Sequence, residues 1–418
     1  MEKQDLTIPH ITVIGAGIIG ICCACQLQRK GFSVTVIDRV PPGESCSWGN
    51  NGNISSRAVV PFSLPGMAWK APRWVMEKYG PLAIKWSYLP RALPWLIRFA
   101  QAGTLNKVLA ISDDMASIYR KALQATTELL KATGTEDVVR HEGLLTVYQD
   151  EAGLRNDKLS WDLKKKHGVP VTKITRQEIQ EMEPALAHIF DIGMYNPEAC
   201  YAVDPFKVVN RLANFFVRQG GIILQREVTG FDMRPEGPVA IFTDQGTFEI
   251  NNLVISAGAW SHKLSAQLGN RVPLESHRGY HTTLPDSGIE LKTPIIWADH
   301  HFSATPMEVG LRFAGTVEFA GLDAPPNFSN VQNLLDLGQR AFPNLNCKNF
   351  TKWMGHRPAT PDTLPVIGRS PHFPKVYYAF GHGQLGLTGG AVTGRLLSEI
   401  VAGEPTSIDA YPFRIDRF

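Results

Sequence analysis

At 418 residues the chain exceeds the roughly 250 to 300 residues that one hydrophobic core usually serves, so two domains, or one large domain with insertions, are expected. Its 42 Lys and Arg against 39 Asp and Glu give no basic field of the kind nucleic acid attracts, and 44% hydrophobic with 19% charged residues suit a compact globular fold. Six cysteines (Cys22, Cys23, Cys25, Cys46, Cys200, Cys347) are too few and too clustered for a disulfide framework, and no Cys or His pair has convincing zinc-site spacing, so neither disulfides nor a metal site is expected.

Residues 11–14 form a short apolar strand, 15–20 a turn, 18–30 a helix and 33–37 a second strand ending at Asp38. The uncharged run 11–27 is broken by Gly15, Gly17 and Gly20 and followed by Arg29 and Lys30, and residues 1–10 hold two acids and one Lys, so neither a spanning helix nor a targeting signal is read. Cys22 and Cys25 have CxxC spacing, but their apolar surroundings predict core packing. Residues 61–100, rich in Pro and Trp, read as irregular with short helices; two prolines make 86–102 a poor continuous helix, expected mainly to pack within its domain. Apolar periodicity predicts one long helix over 104–133, and Lys164, Lys165 and Lys166 a solvated helix face. Strands follow at 143–148, 221–228, 239–243 and 253–256, with a helix over 205–219. Residues 272–319 are strand-like, 329–342 helical, and a last strand at 376–380 precedes a glycine-rich turn and a closing helix reaching Gly403.

The opening strand, turn, helix, strand and acid match a dinucleotide fingerprint. Gly15 permits the tight turn, Gly17 lets backbone N–H groups approach a pyrophosphate, and Gly20 lets the helix pack closely. Ala16, Ile18 and Ile19 complete that turn, and Asp38 can accept from both ribose hydroxyls. This pattern does not separate NAD from FAD. The tail helps: Gly383, Gln384, Gly386, Leu387 and Thr388 open a helix whose N-terminus suits the pyrimidine end of a flavin, where negative charge gathers on reduction, the alternative being a glycine-rich surface loop.

With GAGIIG, VTVIDR, the 44–52 loop (ESCSWGNNG), VISAGAWS, RGY at 278–280, LRFAGTVEFAG and the tail motifs GHRP, PD and LPVIG, the chain resembles D-amino-acid oxidase-like FAD-dependent oxidoreductases, and within them bacterial D-amino-acid dehydrogenases similar to D-hydroxyproline dehydrogenases. The resemblance implies an α/β fold, α+β overall, with a Rossmann-like FAD-binding domain over 1–60, 195–275 and 350–418 and a mixed-sheet substrate domain over 61–194 and 276–349. It implies FAD contacts from Arg39, Ser47, Asn51, Gly52, Val228, Ala257 and Gly258 beside those above, a substrate carboxylate held by Arg357, and Tyr280 beside flavin or substrate. A structural alternative pairs Arg357 with Asp362; His382 is expected to act through its backbone and turn. The implied reaction is dehydrogenation of a D-amino acid or cyclic D-imino acid such as D-hydroxyproline, Cα–H leaving as hydride to flavin N5 and electrons passing to a quinone or another respiratory-chain acceptor. The expected location is cytoplasmic, with peripheral contact on the inner face of the membrane. Alternatives are a glycine- or sarcosine-type amine oxidase using O2, and the flavin-bearing subunit of a hetero-oligomer.

Overall fold

The computed structural model describes residues 9–55 and 57–418; residues 1–8, most of the stretch read as free of a targeting signal, lie outside the described residues. Strand β1 (His10–Ile14), helix α1 (Ile18–Arg29) and strand β2 (Ser33–Asp38) form the opening βαβ unit. Helix α2 (Pro205–Arg218) is set by Asp204, whose carboxylate accepts from the Phe206 and Lys207 N–H groups, and by Pro205 in the first turn, where a missing N–H costs no helical bond. Strands β3 (Ile222–Gln225), β4 (Asn252–Ile255), β5 (Glu275–Leu284), β6 (Thr351–Ala359), β7 (Val366–Arg369) and β8 (Val376–Phe380) follow, and helix α3 (Gly386–Ala402) closes the fold.

The first sheet runs β3-β2-β1-β4-β8-β7, parallel except for β7. Its strands are apolar because both faces are covered. Ile11, Val13, Val34 and Val254 face α1, α2 and α3, whereas Ile14, Ile37, Leu253 and Ile255 face Phe231, Ile241 and Leu264. Cys22, Cys23 and Cys25 are buried in the first of these layers, and burial pushes the Cys25 thiol up to about 12, so the CxxC spacing is packing. Helix α3 crosses α1 at backbone contact: a Cβ at Gly394 would lie 2.6 Å from the Cys22 carbonyl oxygen.

The second sheet has ten strands. From Leu82–Ile84 it passes through Val317–Phe319, β5, Gly310–Ala314, Phe302–Met307, Ile295–Trp297, Leu144–Tyr148 and Ile192–Asn196 to Thr172–Thr175, and β6 pairs antiparallel with β5 along its length. It is mixed, with parallel pairs where Val317–Phe319 meets Leu82–Ile84 and where Ile295–Trp297 meets Leu144–Tyr148. Its own core gathers Trp297, Phe190, Phe302, Phe313 and Phe342.

Several sequence expectations change. The strand expected over 221–228 is two: after Gln225 the Arg226 N–H donates to the Asp38 carbonyl, and Val228–Arg234 joins a separate antiparallel sheet. The helix expected over 104–133 breaks at Arg120 and Lys121 into Leu105–Tyr119 and Ala122–Thr133. Leu89–Ala102 is one helix despite its prolines, because Pro90 sits in the first turn and the buried Ala92, Trp95 and Ala102 hold the rest. The boundaries expected at 195 and 350 meet strands of the second sheet, Ile192–Asn196 and β6. Lys165 and Lys166 are exposed, but the Lys164 ammonium lies 3.5 Å above the Trp161 ring and burial lowers it to about 8.

Candidate active site

A cleft of about 2100 Å³ is lined by residues of both sheets. Two helices aim their N-termini at it. Neither α1 nor α3 has a capping side chain or an acid in its first turn, so the first N–H groups and the positive end of each helix dipole are left for a ligand. Of these, the Ile18 N–H is taken by Ser47 Oγ at 3.0 Å and the Leu385 N–H by the His382 carbonyl at 2.8 Å. Gly15 has φ +115° and its Cβ would strike the Ser256 carbonyl at 2.3 Å, while Gly17 on the cleft side would meet nothing closer than Ser47 Oγ at 3.4 Å. A ligand can therefore approach the Gly17 backbone at no cost to the fold. At the end of β2, Asp38 accepts from the Ala16 N–H (2.6 Å) and the Val40 N–H (3.3 Å), and burial raises its pKa. The Arg39 guanidinium lies 4.0 Å over the Trp260 ring, forming a flat platform beside it.

Gly15, Gly17, Ile18, Ile19, Asp38, Arg39, Ser47, Asn51, Val228, Ala257, Gly258, Gly383, Gln384, Gly386, Leu387 and Thr388 line this one cleft. Three expected contacts do not. Ala16 is buried with its N–H on Asp38, Gly20 packs on the Gly15 carbonyl, where a Cβ would come within 1.8 Å, and Gly52 turns its carbonyl to the Ala202 N–H at 2.8 Å. All three shape the cradle from behind. The 45–53 loop is held by groups the sequence reading missed. Arg312 donates to the Asn50 carbonyl (2.6 Å) and to Thr283 Oγ1 (3.1 Å), and the His281 ring contacts the Gly49 carbonyl (3.0 Å) while stacking on Trp48 and Trp353. An arginine within an otherwise apolar buried strand was the available signal for Arg312.

Strand parity decides the catalytic candidates, because successive side chains of a strand point to opposite faces. In β5 and β6, His277 pairs with Arg357, Gly279 with Gly355, and His281 with Trp353, and this face lines the cleft. Tyr280 also lines the cleft. Its hydroxyl donates to Glu318 at 2.6 Å and accepts from the Asn327 N–H at 2.8 Å, and its ring sits in the core of the second sheet. Tyr280 thus stands on the cleft lining with its hydroxyl held by Glu318 and the Asn327 N–H.

Arg357 is on the cleft side. One N–H donates to the Thr316 carbonyl at 2.9 Å, and among the described residues no carboxylate pairs with it. Asp362, the partner considered for it, is taken by Arg417 at 2.8 Å. Burial lowers Arg357 to about 10, partly offset by Cys46, so it is cationic at neutral pH. The guanidinium lies on Gly279, where a Cβ would sit 2.3 Å from Cζ. Beside it, burial and then the Arg357 charge hold His277 at about 3, and burial holds His382 at about 3 with Nε2 on Thr393 Oγ1 at 2.8 Å. Among the described residues no group of His, Cys, Asp or Glu side chains is arranged to hold a metal ion.

A family description for FAD dependent oxidoreductases, termed DAO, matches residues 10–400. The chain belongs to the DAO family. Relatives include a D-amino-acid oxidase of Bradyrhizobium diazoefficiens, 35% identical over 416 residues with 98% of this chain and 99% of that one covered. A D-amino acid dehydrogenase of Vibrio vulnificus is 29% identical over 408 residues, covering 95% and 97%. Among solved structures, L-proline dehydrogenase from P. horikoshii superposes with a TM-score of 0.76 at 19% identity, covering 98% of each chain. Glycine oxidase from Geobacillus kaustophilus does so at 0.74 and 21%, also covering 98% of each; these two show the shared DAO fold. The chain is thus an FAD-dependent oxidoreductase, and the cleft fits its cofactor. The bare Gly17 backbone and the α1 N-terminus suit the pyrophosphate, Asp38 the ribose, and the α3 N-terminus the flavin.

Proposed function

We propose that this DAO-family member oxidises a D-amino acid or a cyclic D-imino acid such as D-hydroxyproline, with Arg357 gripping the carboxylate. In this reading the doubly wound first sheet and its helices are the FAD-binding domain, and the ten-stranded sheet is the substrate domain. The observation that carries the proposal is the unpaired Arg357 guanidinium on the cleft wall, with its alternative partner Asp362 committed to Arg417. A planar, permanently charged fork suits a carboxylate, and a cleft cation with no carboxylate of its own is satisfied by one from the substrate. The bound FAD supplies the two-electron acceptor for the Cα–H bond. The protein's own work is then to hold the carboxylate, fix Cα and shield it from water. No general base is assigned, since His277 and His281 are neutral and their Nε2 atoms are sealed from the cleft. The imine formed hydrolyses to an oxo acid and ammonia, or persists as a ring imine when the substrate is cyclic. The D-amino-acid oxidase and D-amino acid dehydrogenase among its relatives support the D configuration.

For the acceptor we propose a quinone-like molecule of the respiratory chain, reached by peripheral contact with the inner face of the membrane. Support comes from the helices around the cleft mouth. Trp69 (90%), Met76 (80%) and Trp86 (68%) are exposed there, with Leu93 and Ile97 beyond them. From Met67 to Ser112, Glu77 is the only acid against Lys70, Arg73, Lys78, Lys85, Arg91, Arg98 and Lys107. Such a face complements an anionic bilayer; no helix among the described residues is long and apolar enough to cross one. A second reading, O2 as acceptor, is favoured by the relative named an oxidase.

Anaerobic spectrophotometry of the holoprotein against D- and L-amino acids, glycine and sarcosine tests the substrate. Arg357→Ala is expected to weaken binding by ~2 to 5 kcal/mol, the range for removing one partner of a buried charge pair, with Arg357→Lys recovering part of it. Normal oxidation of carboxylate substrates by the Ala variant would remove Arg357 from the site. Peroxide formed as fast as dye is reduced would select the O2 reading.

A further inference from the structure

The cleft continues well past the Arg357 clamp, and we propose that its far end, headed by Lys164, is a second binding site that takes the 2-oxo acid formed in the reaction. The inference rests on the amino-acid reading above, which makes a 2-oxo acid the product. Strand order sets the two ends apart. Across the second sheet β6, β5, Gly310–Ala314, Phe302–Met307, Ile295–Trp297 and Leu144–Tyr148 lie side by side. At ~4.8 Å between neighbours the last strand is on the order of 20 Å from the first. An amino acid gripped by Arg357 cannot bridge that span, so whatever occupies the far end is a second molecule.

Helix Lys158–Lys166 and the Asp157 at its start build this end through their spacing. Asp157, Ser160 and Lys164 stand three and then four residues apart, which sets them on one side of the helix, and all three line the cleft. The Trp161 indole N–H donates to the Tyr148 hydroxyl oxygen at 2.7 Å, and that hydroxyl donates to the Asp157 carboxylate, also at 2.7 Å. This chain fixes the indole, and the Lys164 ammonium rests 3.5 Å above its ring. Among the described residues Lys164 makes no hydrogen bond and no ion pair, so a half-buried cation faces the cleft unanswered.

The other charged groups at this end are engaged or face solvent. Asp157 is taken by Tyr148, and Asp299 accepts from the Gln149 N–H at 3.1 Å and the Trp297 indole N–H at 3.2 Å. Arg57 donates to the Gly168 carbonyl and lies 3.6 Å from Glu198, the His301 ring meets Trp74 edge-on at 5.7 Å, and Lys70 is exposed. Lys164 is therefore the cation left for a ligand anion, and a carboxylate there gains a charge-assisted hydrogen bond. Substrate and product both carry a carboxylate, but the substrate adds an ammonium, which Lys164 repels and for which no free carboxylate is at hand. A 2-oxo acid brings acceptors alone, for Lys164 and the Ser160 hydroxyl. Leu144, Leu159 and Ile296 line the same end and suit its hydrocarbon part.

Calorimetric titration of the FAD-loaded protein with 4-methyl-2-oxopentanoate at pH 7 is expected to find one molecule bound at each end of the cleft. Lys164→Met, with flavin content and melting temperature as folding controls, should remove the far one, and Arg357→Ala the near one. Lys164→Arg should keep the far site, and Lys165→Met, on the exposed side of the helix, should leave both. Burial holds Lys164 at about 8 with Asp157 offsetting part of the shift, so affinity at the far site should fall about tenfold per pH unit above that value, while Arg357 stays cationic to about 10. In Arg357→Ala, D-leucine should bind at least ~10-fold more weakly than the oxo acid; equal binding would overturn the product assignment. A single bound molecule, indifferent to Lys164, would overturn the second site and leave the Arg357 reading standing. Two molecules that both persist in Arg357→Ala, one of them lost in Lys164→Met, would remove Arg357 from the clamp and keep the far site.

Discussion

Gly279→Ala is the most economical test of the Arg357 clamp, because it adds one methyl group outside the clamp itself. The new Cβ would lie 2.3 Å from Cζ and 2.4 and 2.6 Å from the terminal nitrogens of Arg357, against ordinary contacts of 3.4 Å or more. The guanidinium must retreat by about 1 Å, and its hydrogen bond to the Thr316 carbonyl at 2.9 Å goes with it. The far end of an arginine moves readily and Gly279 has no left-handed backbone to protect, so stability should stay within about 1 kcal/mol of wild type. Function should not. A displacement near 1 Å in a positioning group costs on the order of 100-fold, shared between weaker carboxylate binding and slower flavin reduction at saturation. Rapid mixing of oxidised holoenzyme with substrate under argon gives both quantities, and flavin content and melting temperature control for folding. Unchanged affinity and rate in a folded Gly279→Ala protein would mean that the guanidinium does not work from this position, and the proposed carboxylate contact would fall.

Three further outcomes are expected. Gly17→Val should fold, since only Ser47 Oγ stands near its Cβ, yet lose flavin on gel filtration because the branched side chain occupies the phosphate approach; a yellow variant would refute that placement. Burial holds His277, His281 and His382 near about 3 against 6.5 unfolded, so the stability they confer is fully present above pH ~6.5 and drains as pH falls toward ~3, each at about 1.4 kcal/mol per pH unit; urea midpoints equal at pH 7 and pH 5 would contradict this. The holoprotein should co-sediment with vesicles containing phosphatidylglycerol, and Leu93→Ser/Ile97→Ser/Arg98→Glu should abolish this without changing dye-linked turnover; equal binding by that variant would remove the helix from the contact.

The fingerprint was legible because its meaning is local. A strand, three glycines and an acid at set spacing dictate one turn, and Gly15, Gly17 and Asp38 stand where that turn requires. Strand β8 and the reach of α3 to Gly403 were legible for the same reason, since Gly403 ends the helix at φ +67°. The partners of Tyr280 were not, because β5 is buried along all ten residues and shows no alternation to tell one face from the other. Only pairing with β6, some 75 residues downstream in sequence, reveals that His277 and Gly279 face Arg357 while Arg278 and Tyr280 do not.

The backbone contact between α1 and α3 bears on how the protein is made. The two uncapped helix ends that frame the cleft begin at residues 18 and 386, so the first is synthesised long before the second exists. Strand β8, which completes the parallel sheet beside β4, also arrives only at Val376. A nascent chain emerging from the ribosome thus carries β1, β2, β3 and β4 with the flank of β4 bare, and its apolar Leu253, Val254 and Ile255 lack their neighbour through more than a hundred residues of further elongation. The flavin has no closed seat to enter during that interval. Cofactor capture is therefore expected to wait for β8 and α3, and a chain truncated before Val376 should be colourless and prone to aggregate.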